Sequence, residues 1–207
     1  MRQPLTPTVL FGSLASIITS VSLLSAPMAH AQEPASYLTP PTEITNILDT
    51  PPTPRVIISP TGATVALLQR PAMRSITELA QPMLRLAGYR LNPRTNGPHT
   101  AEALSRITVA RIDDGIEHVF DAPRETSLGD VEYSPDGSRL LFTLTRYNGI
   151  EAWLMEVATG QVRPLSDASV NAAWGNPCDW LDHNATVICR FKASARGAPP
   201  APPEAPV

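Results

Sequence analysis

The chain has 207 residues, 43% of them hydrophobic and 17% charged, with a formal net charge of −3. That is enough apolar chain to bury a core, and it lacks the basic field that a nucleic-acid partner requires, so that class is set aside. Its 23 prolines gather at 40–54 and 199–206, which marks connecting segments rather than element interiors.

Residues 1–31 read as an export signal. Arg2 supplies the positive start, Val9 to Leu24 carry no charge, and Ala29-His30-Ala31 offers the small-x-small site, which places cleavage between Ala31 and Gln32. Serines and threonines dilute the apolar stretch, so no stable membrane span is expected after cleavage, and the expected location is the periplasm or the medium. Residues 32–55 form an entry arm. Ile44, Ile47 and Leu48 recur at helical spacing between Pro41 and Pro51, which predicts a short helix over Glu43 to Asp49.

From residue 56 the pattern is β. Val56-Ile57-Ile58 and Val65 to Leu68 flank Ser59-Pro60-Thr61-Gly62, and Val131 to Tyr133 and Leu140 to Leu144 flank Ser134-Pro135-Asp136-Gly137. Proline presets φ at the second turn position and glycine suits the fourth, so each reads as a hairpin. A weaker third copy runs from Cys178-Asp179-Trp180 through Asp182-His183-Asn184 to Val187-Ile188-Cys189. The step from Tyr133 to Trp180 is close to the roughly 40–45 residues of a WD-type propeller blade. The step from Ile58 to Tyr133 is longer and implies an insertion. There, Ser75-Ile76-Thr77-Glu78 matches a capping box, with Ile76, Leu79, Ala80 and Met83 on one helical face whose length Pro82 limits. The blade resumes at Ile107 to Ile112, turns at Asp114-Gly115 and returns over Ile116 to Phe120. Tyr147-Asn148-Gly149 and Thr159-Gly160 then punctuate two more strands, Ala152 to Val157 and Gln161 to Leu165. The expected fold is all-β: an incomplete β-propeller of about three four-stranded blades over 56–195, with a short helical insertion, followed by a Pro/Ala-rich tail at 196–207.

Leu79-Ala80-Gln81-Pro82-Met83, Leu86-Ala87-Gly88-Tyr89-Arg90-Leu91-Asn92-Pro93 and Arg94-Thr95-Asn96-Gly97, together with the Ser-Pro-x-Gly turns, resemble the N-terminal half of prolyl oligopeptidase-family serine peptidases, in the glutamyl endopeptidase-like branch. The resemblance covers roughly residues 37–203. It implies a propeller that restricts access to a separate α/β-hydrolase domain, peptide substrates, and a nucleophilic serine in a Gly-x-Ser-x-Gly elbow. This sequence contains no Gly-x-Ser-x-Gly. No catalytic residue is therefore carried over. The expectation is a fragment or truncated product, inactive by itself and missing its hydrolase domain. The competing reading is a stand-alone exported module that binds peptides or proteins.

The remaining site candidates are few. The four histidines show no paired-ligand spacing, so neither metal nor cofactor is expected. Cys178 and Cys189 stand opposite each other if the third hairpin turns between His183 and Asn184. They are then either a disulfide or two buried thiols. Arg70, Arg74, Arg85, Arg90 and Arg94 face only Glu78 in their segment. Arg85, Arg90 and Arg94 are candidates for steering acidic peptides, or else solvated surface charges. Asn184-Ala185-Thr186 matches a glycosylation sequon in a tight hairpin.

Overall fold

The computed structural model describes residues 38–181, 186–193, 195 and 197. The export signal with its Ala31–Gln32 site, the Asn184 sequon and nearly all of the 196–207 tail lie outside the described residues. The unit from Pro41 onward is described by itself.

The entry arm holds α1 (Thr42–Asp49), which starts after Pro41, a residue that the first turn tolerates. Ile47 and Leu48 line one side of it and remain exposed. The prolines at 51, 52 and 54 then hold the chain extended into β1 (Arg55–Ile58). β1 pairs antiparallel with β2 (Thr64–Gln69) through the Ser59-Pro60-Thr61-Gly62 turn. Gly62 donates to the Ser59 carbonyl at 2.9 Å and sits at φ 68°, where a side chain would be strained.

The chain then leaves the sheet. It forms α2 (Ile76–Leu79), β3 (Leu84–Leu86), β4 (Tyr89–Asn92) and β5 (Gly97–Pro98) before rejoining at β6 (Arg106–Arg111). β6 pairs with β2, and β7 (Glu117–Asp121) pairs with β6, completing a four-stranded sheet in the order β1-β2-β6-β7. A second four-stranded meander comes next: β8 (Ser127–Tyr133), β9 (Arg139–Arg146), β10 (Gly149–Glu156) and β11 (Val162–Pro164). The described residues end in a two-stranded hairpin, β12 (Cys178–Trp180) with β13 (Val187–Cys189).

Strand alternation makes these sheets stack. On β9, Leu140, Phe142 and Leu144 point one way, into a core shared with Ala66, Leu68, Ile107 and Val109 of the first sheet. Leu141 points the other way. It joins Ile150, Ala152 and Leu154 of β10 in a second core closed by Val170, Ala172 and Cys178. The second sheet is therefore covered on both faces. Among the described residues the first is covered on one face only: Val56, Ile58 and Val119 share its opposite face and are more than half exposed.

Several expectations need correction. The insertion is mostly β rather than helical. Its helix stops at Leu79, short of Ala80 and Met83, just ahead of Pro82, and the chain continues into a three-stranded sheet, β3-β4-β5. Ala87 and Gly88, at φ 48° and 88°, form the two-residue turn of that hairpin, a conformation the sequence does not advertise at alanine. The capping box is half made. Ser75 Oγ accepts from the Glu78 N–H at 3.1 Å, while the Glu78 carboxylate accepts from Arg74 instead. Two sheets, not three, have four strands among the described residues; the third hairpin stands as a pair.

Cys178 and Cys189 are joined by a disulfide across β12 and β13. The bridge closes a loop of sequence separation 11 on a hairpin that has no further strand beside it among the described residues. Constraining a loop of that length in the unfolded chain is worth about 2–3 kcal/mol. Chemical denaturation with and without a thiol reductant should therefore separate by about that much, with the larger change in signals from Trp180.

Candidate functional site

The insertion that interrupts the first sheet packs its far end on the second. Asn92, Thr95, Asn96 and Gly97 are buried there. The turn that carries them is self-bonded: Asn92 Oδ1 accepts from the Arg94 N–H at 3.0 Å, and the Asn92 carbonyl accepts from the Asn96 N–H at 3.0 Å. Asn96 takes φ 59°, which asparagine tolerates better than most residues. Gly97 presses on β10 so closely that a Cβ there would lie 2.5 Å from Ile150 Cδ1. The Asn92-Pro93-Arg94-Thr95-Asn96-Gly97 stretch is thus a plug that fixes the insertion in place.

What the plug holds out to solvent is aromatic and basic. Tyr89 and Trp174 lie with ring centroids 4.9 Å apart, and the Arg94 guanidinium sits 4.5 Å from the centre of the Tyr147 ring. All three aromatics are substantially exposed. Arg85 and Arg90 are directly opposed across β3 and β4. Neither forms an ion pair among the described residues, whereas Arg74 is bound to Glu78 at 2.5 Å. The sequence signalled the arginines through their excess over acids. It gave no sign that Tyr147 of the β9–β10 turn meets Arg94, or that Trp174, from the segment after β11, meets Tyr89 of the hairpin.

A second group lies on β8 and β12. Glu132 Oε2 is buried with no partner among the described residues. Burial raises the pKa of this carboxyl, and repulsion from Asp179 adds to it, against a hydrogen bond from Asn176. The two histidines described are both engaged by backbone: the His99 Nε2 lies 2.9 Å from the Gln81 carbonyl and the His118 Nε2 lies 3.2 Å from that of Ala158. Among the described residues no three His, Cys, Asp or Glu side chains gather as a metal site, and no helix is long and apolar enough to cross a membrane.

β8 also carries a bulge between Gly129 and Glu132, with Asp130 at φ 45°. The residue is exposed overall. Crowding around its carboxyl nonetheless raises its pKa, and Glu102 adds repulsion, while the Thr143 hydroxyl donates to it at 3.1 Å and opposes the rise. An acid whose pKa is higher folded than unfolded contributes most below its unfolded value, near 3.9, and loses that contribution as pH climbs through the folded value. Asp130→Asn keeps the acceptor and suits the left-handed backbone. At neutral pH it should raise stability by a few tenths of a kcal/mol, the solvent around an exposed residue limiting the gain. The gain should vanish in acid, which paired denaturation curves at the two pH values would show.

No model of a known protein family matches the chain. Curated sequences do. It is 29% identical over 184 residues to a protein of Oryza sativa subsp. japonica and 30% identical over 183 residues to one of Arabidopsis thaliana, both named "Probable glutamyl endopeptidase, chloroplastic". This chain is similar to the glutamyl endopeptidases. Each alignment takes in 82% of the chain and only 19% of the plant protein, so the chain spans about a fifth of the length of these glutamyl endopeptidases. Among solved structures it is similar to the acylaminoacyl peptidase of Pyrococcus horikoshii, at a TM-score of 0.41 and 13% identity, over 78% of this chain and 20% of that one. The architecture rests on the chain's own strand pairing.

Proposed function

We propose that this chain is the propeller portion of an exported serine peptidase of the prolyl oligopeptidase family, where its stacked sheets gate the passage of peptides to a hydrolase domain. The observation that carries the reading is the succession of two four-stranded antiparallel meanders and a third hairpin, in chain order, each sheet face against the next. That is how propeller blades are built and packed. The similarity to glutamyl endopeptidases supports the same reading. The uncovered face of the first sheet is where a further blade would sit.

The chain supplies the blades and no nucleophile elbow, so the chemistry belongs to a part outside these 207 residues. Two measurements test the division of labour. DNA next to the coding segment should encode an α/β-hydrolase domain with a Gly-x-Ser-x-Gly elbow, in frame or in a shifted frame; an unrelated neighbour would overturn the peptidase reading. The purified chain should show no peptidase turnover, and turnover that a serine-directed inhibitor abolishes would place the chemistry in this chain after all. For export, N-terminal sequencing of material recovered outside the cytoplasm should begin at Gln32, and a start at Met1 would contradict it.

A further inference from the structure

The first sheet, the second sheet and the third hairpin follow one another in the stack, yet the insertion of the first touches the segment that carries the last. From the contacts of Trp174 we infer that the insertion is a strap. It leaves the first sheet, crosses the β9–β10 end of the second and braces the β12–β13 hairpin, so that release of one surface contact loosens that hairpin alone. The inference goes beyond the peptide-handling reading above and does not depend on it.

Five observations carry it. The strap is anchored at its root: Gln69 pairs with Arg106 where the insertion leaves and rejoins the first sheet, and the Ser105 N–H donates to the Gln69 carbonyl at 2.8 Å. Midway it rests on two bodies at once. A Cβ at Gly97 would lie 2.5 Å from Ile150 Cδ1 of β10 and 3.8 Å from Ala172 Cβ of the segment that follows β11. Beside the β3–β4 turn, Tyr89 meets Trp174 of that same segment, with ring centroids 4.9 Å apart. Trp174 is in turn held by the hairpin: the guanidinium of Arg190, one residue past β13, donates to the Trp174 carbonyl at 2.7 Å and also to that of Asn176. The hairpin itself has little else to hold it. Of its strand residues only Cys178 is buried, the disulfide joins its strands to each other rather than to the sheet beside them, and a lone pair of strands is marginal in water. Tyr89 and Trp174 are 46% and 67% exposed, so the tie is made at the surface and opens without a cavity in either core.

Hydrogen exchange of the whole 207-residue chain, followed by mass spectrometry, tests the strap. An aromatic pair of this kind shifts an opening equilibrium by about threefold to tenfold. Tyr89→Ala should therefore speed exchange of the β12–β13 amides by that factor, while the β8, β9 and β10 amides keep their rates. Trp174→Ala should do the same, and the two changes together should add nothing to either alone. Tyr89→Phe keeps the ring and should keep exchange slow. Leu86→Ala, directly across the β3–β4 hairpin from Tyr89, should also leave it slow. Unchanged β12–β13 exchange in the two alanine variants, an equal rise in the second sheet, additive effects in the double variant, or an equal rise in Leu86→Ala would each overturn the strap.

Discussion

Phe142→Ala should destabilise the chain by about 3–5 kcal/mol, a large share of the roughly 5–15 kcal/mol available to a domain. The reason is position. Phe142 is completely buried at the centre of β9, on the face that meets the first sheet. Its ring lies 5.4 Å from that of Phe120, which in turn lies 6.4 Å from Trp153, so a row of three rings ties β7, β9 and β10 together. Truncation removes the ring's transfer free energy and leaves a hole that rigid strands on both sides close poorly. The companion change Val119→Ala, on the exposed face of the first sheet, should cost far less. Denaturant unfolding of the two variants checks the contrast, and equal losses would contradict the stacked-sheet core.

The isolated chain should self-associate. Val56, Ile58 and Val119 form one apolar face, at 55%, 64% and 52% exposure, with Val65, Leu67 and Ala110 half-buried between them. In a ring of blades that face would be covered, and a partial set of stacked units leaves it open. Contiguous apolar surface of this kind drives association. Light scattering coupled to size-exclusion chromatography should report species larger than the monomer. Ile58→Lys with Val119→Lys should return the chain towards the monomer without loss of the cooperative transition. A monodisperse parent chain would contradict both the open face and the partial-ring architecture.

Much of the meander was legible because its signals are local. Ser59-Pro60-Thr61-Gly62 and Ser134-Pro135-Asp136-Gly137 fold as hairpin turns for reasons contained within four residues. In the second, Asp136 accepts from Ser134 Oγ at 2.6 Å and from the Ser138 N–H at 3.0 Å, bonds that hold its pKa below the usual carboxylate value. The near-continuous apolar run from Leu140 to Leu144 likewise suits a strand buried on both faces. The insertion was not legible in the same way. Ile76, Leu79, Ala80 and Met83 have helical spacing, but Pro82 and the demand for sheet pairing cut the helix short. The β3–β4 turn uses an alanine at positive φ that no propensity predicts. The Asp130 bulge depends on how β8 meets β9 and leaves no mark in composition. As for the site, the arginines stood out by count. The Tyr147 ring beside Arg94 is brought there by tertiary folding alone.

The insertion between β2 and β6 has a consequence for the order in which the molecule assembles. The second sheet is made of neighbours in sequence, so its strands find each other through short loops. The first sheet must hold Gln69 against Ser105, a separation of 36 residues, before β6 and β7 can add to β1 and β2. Relative to a four-residue turn, closing that loop costs about 2 kcal/mol of chain entropy. The β8–β11 meander should therefore be formed in the folding transition state, with the first sheet closing onto it afterwards. Mutations in β9 would then slow refolding, while mutations in β6 of similar cost would chiefly speed unfolding. Shortening the insertion to a tight turn should quicken folding, while removing the arginine hairpin that the detour displays.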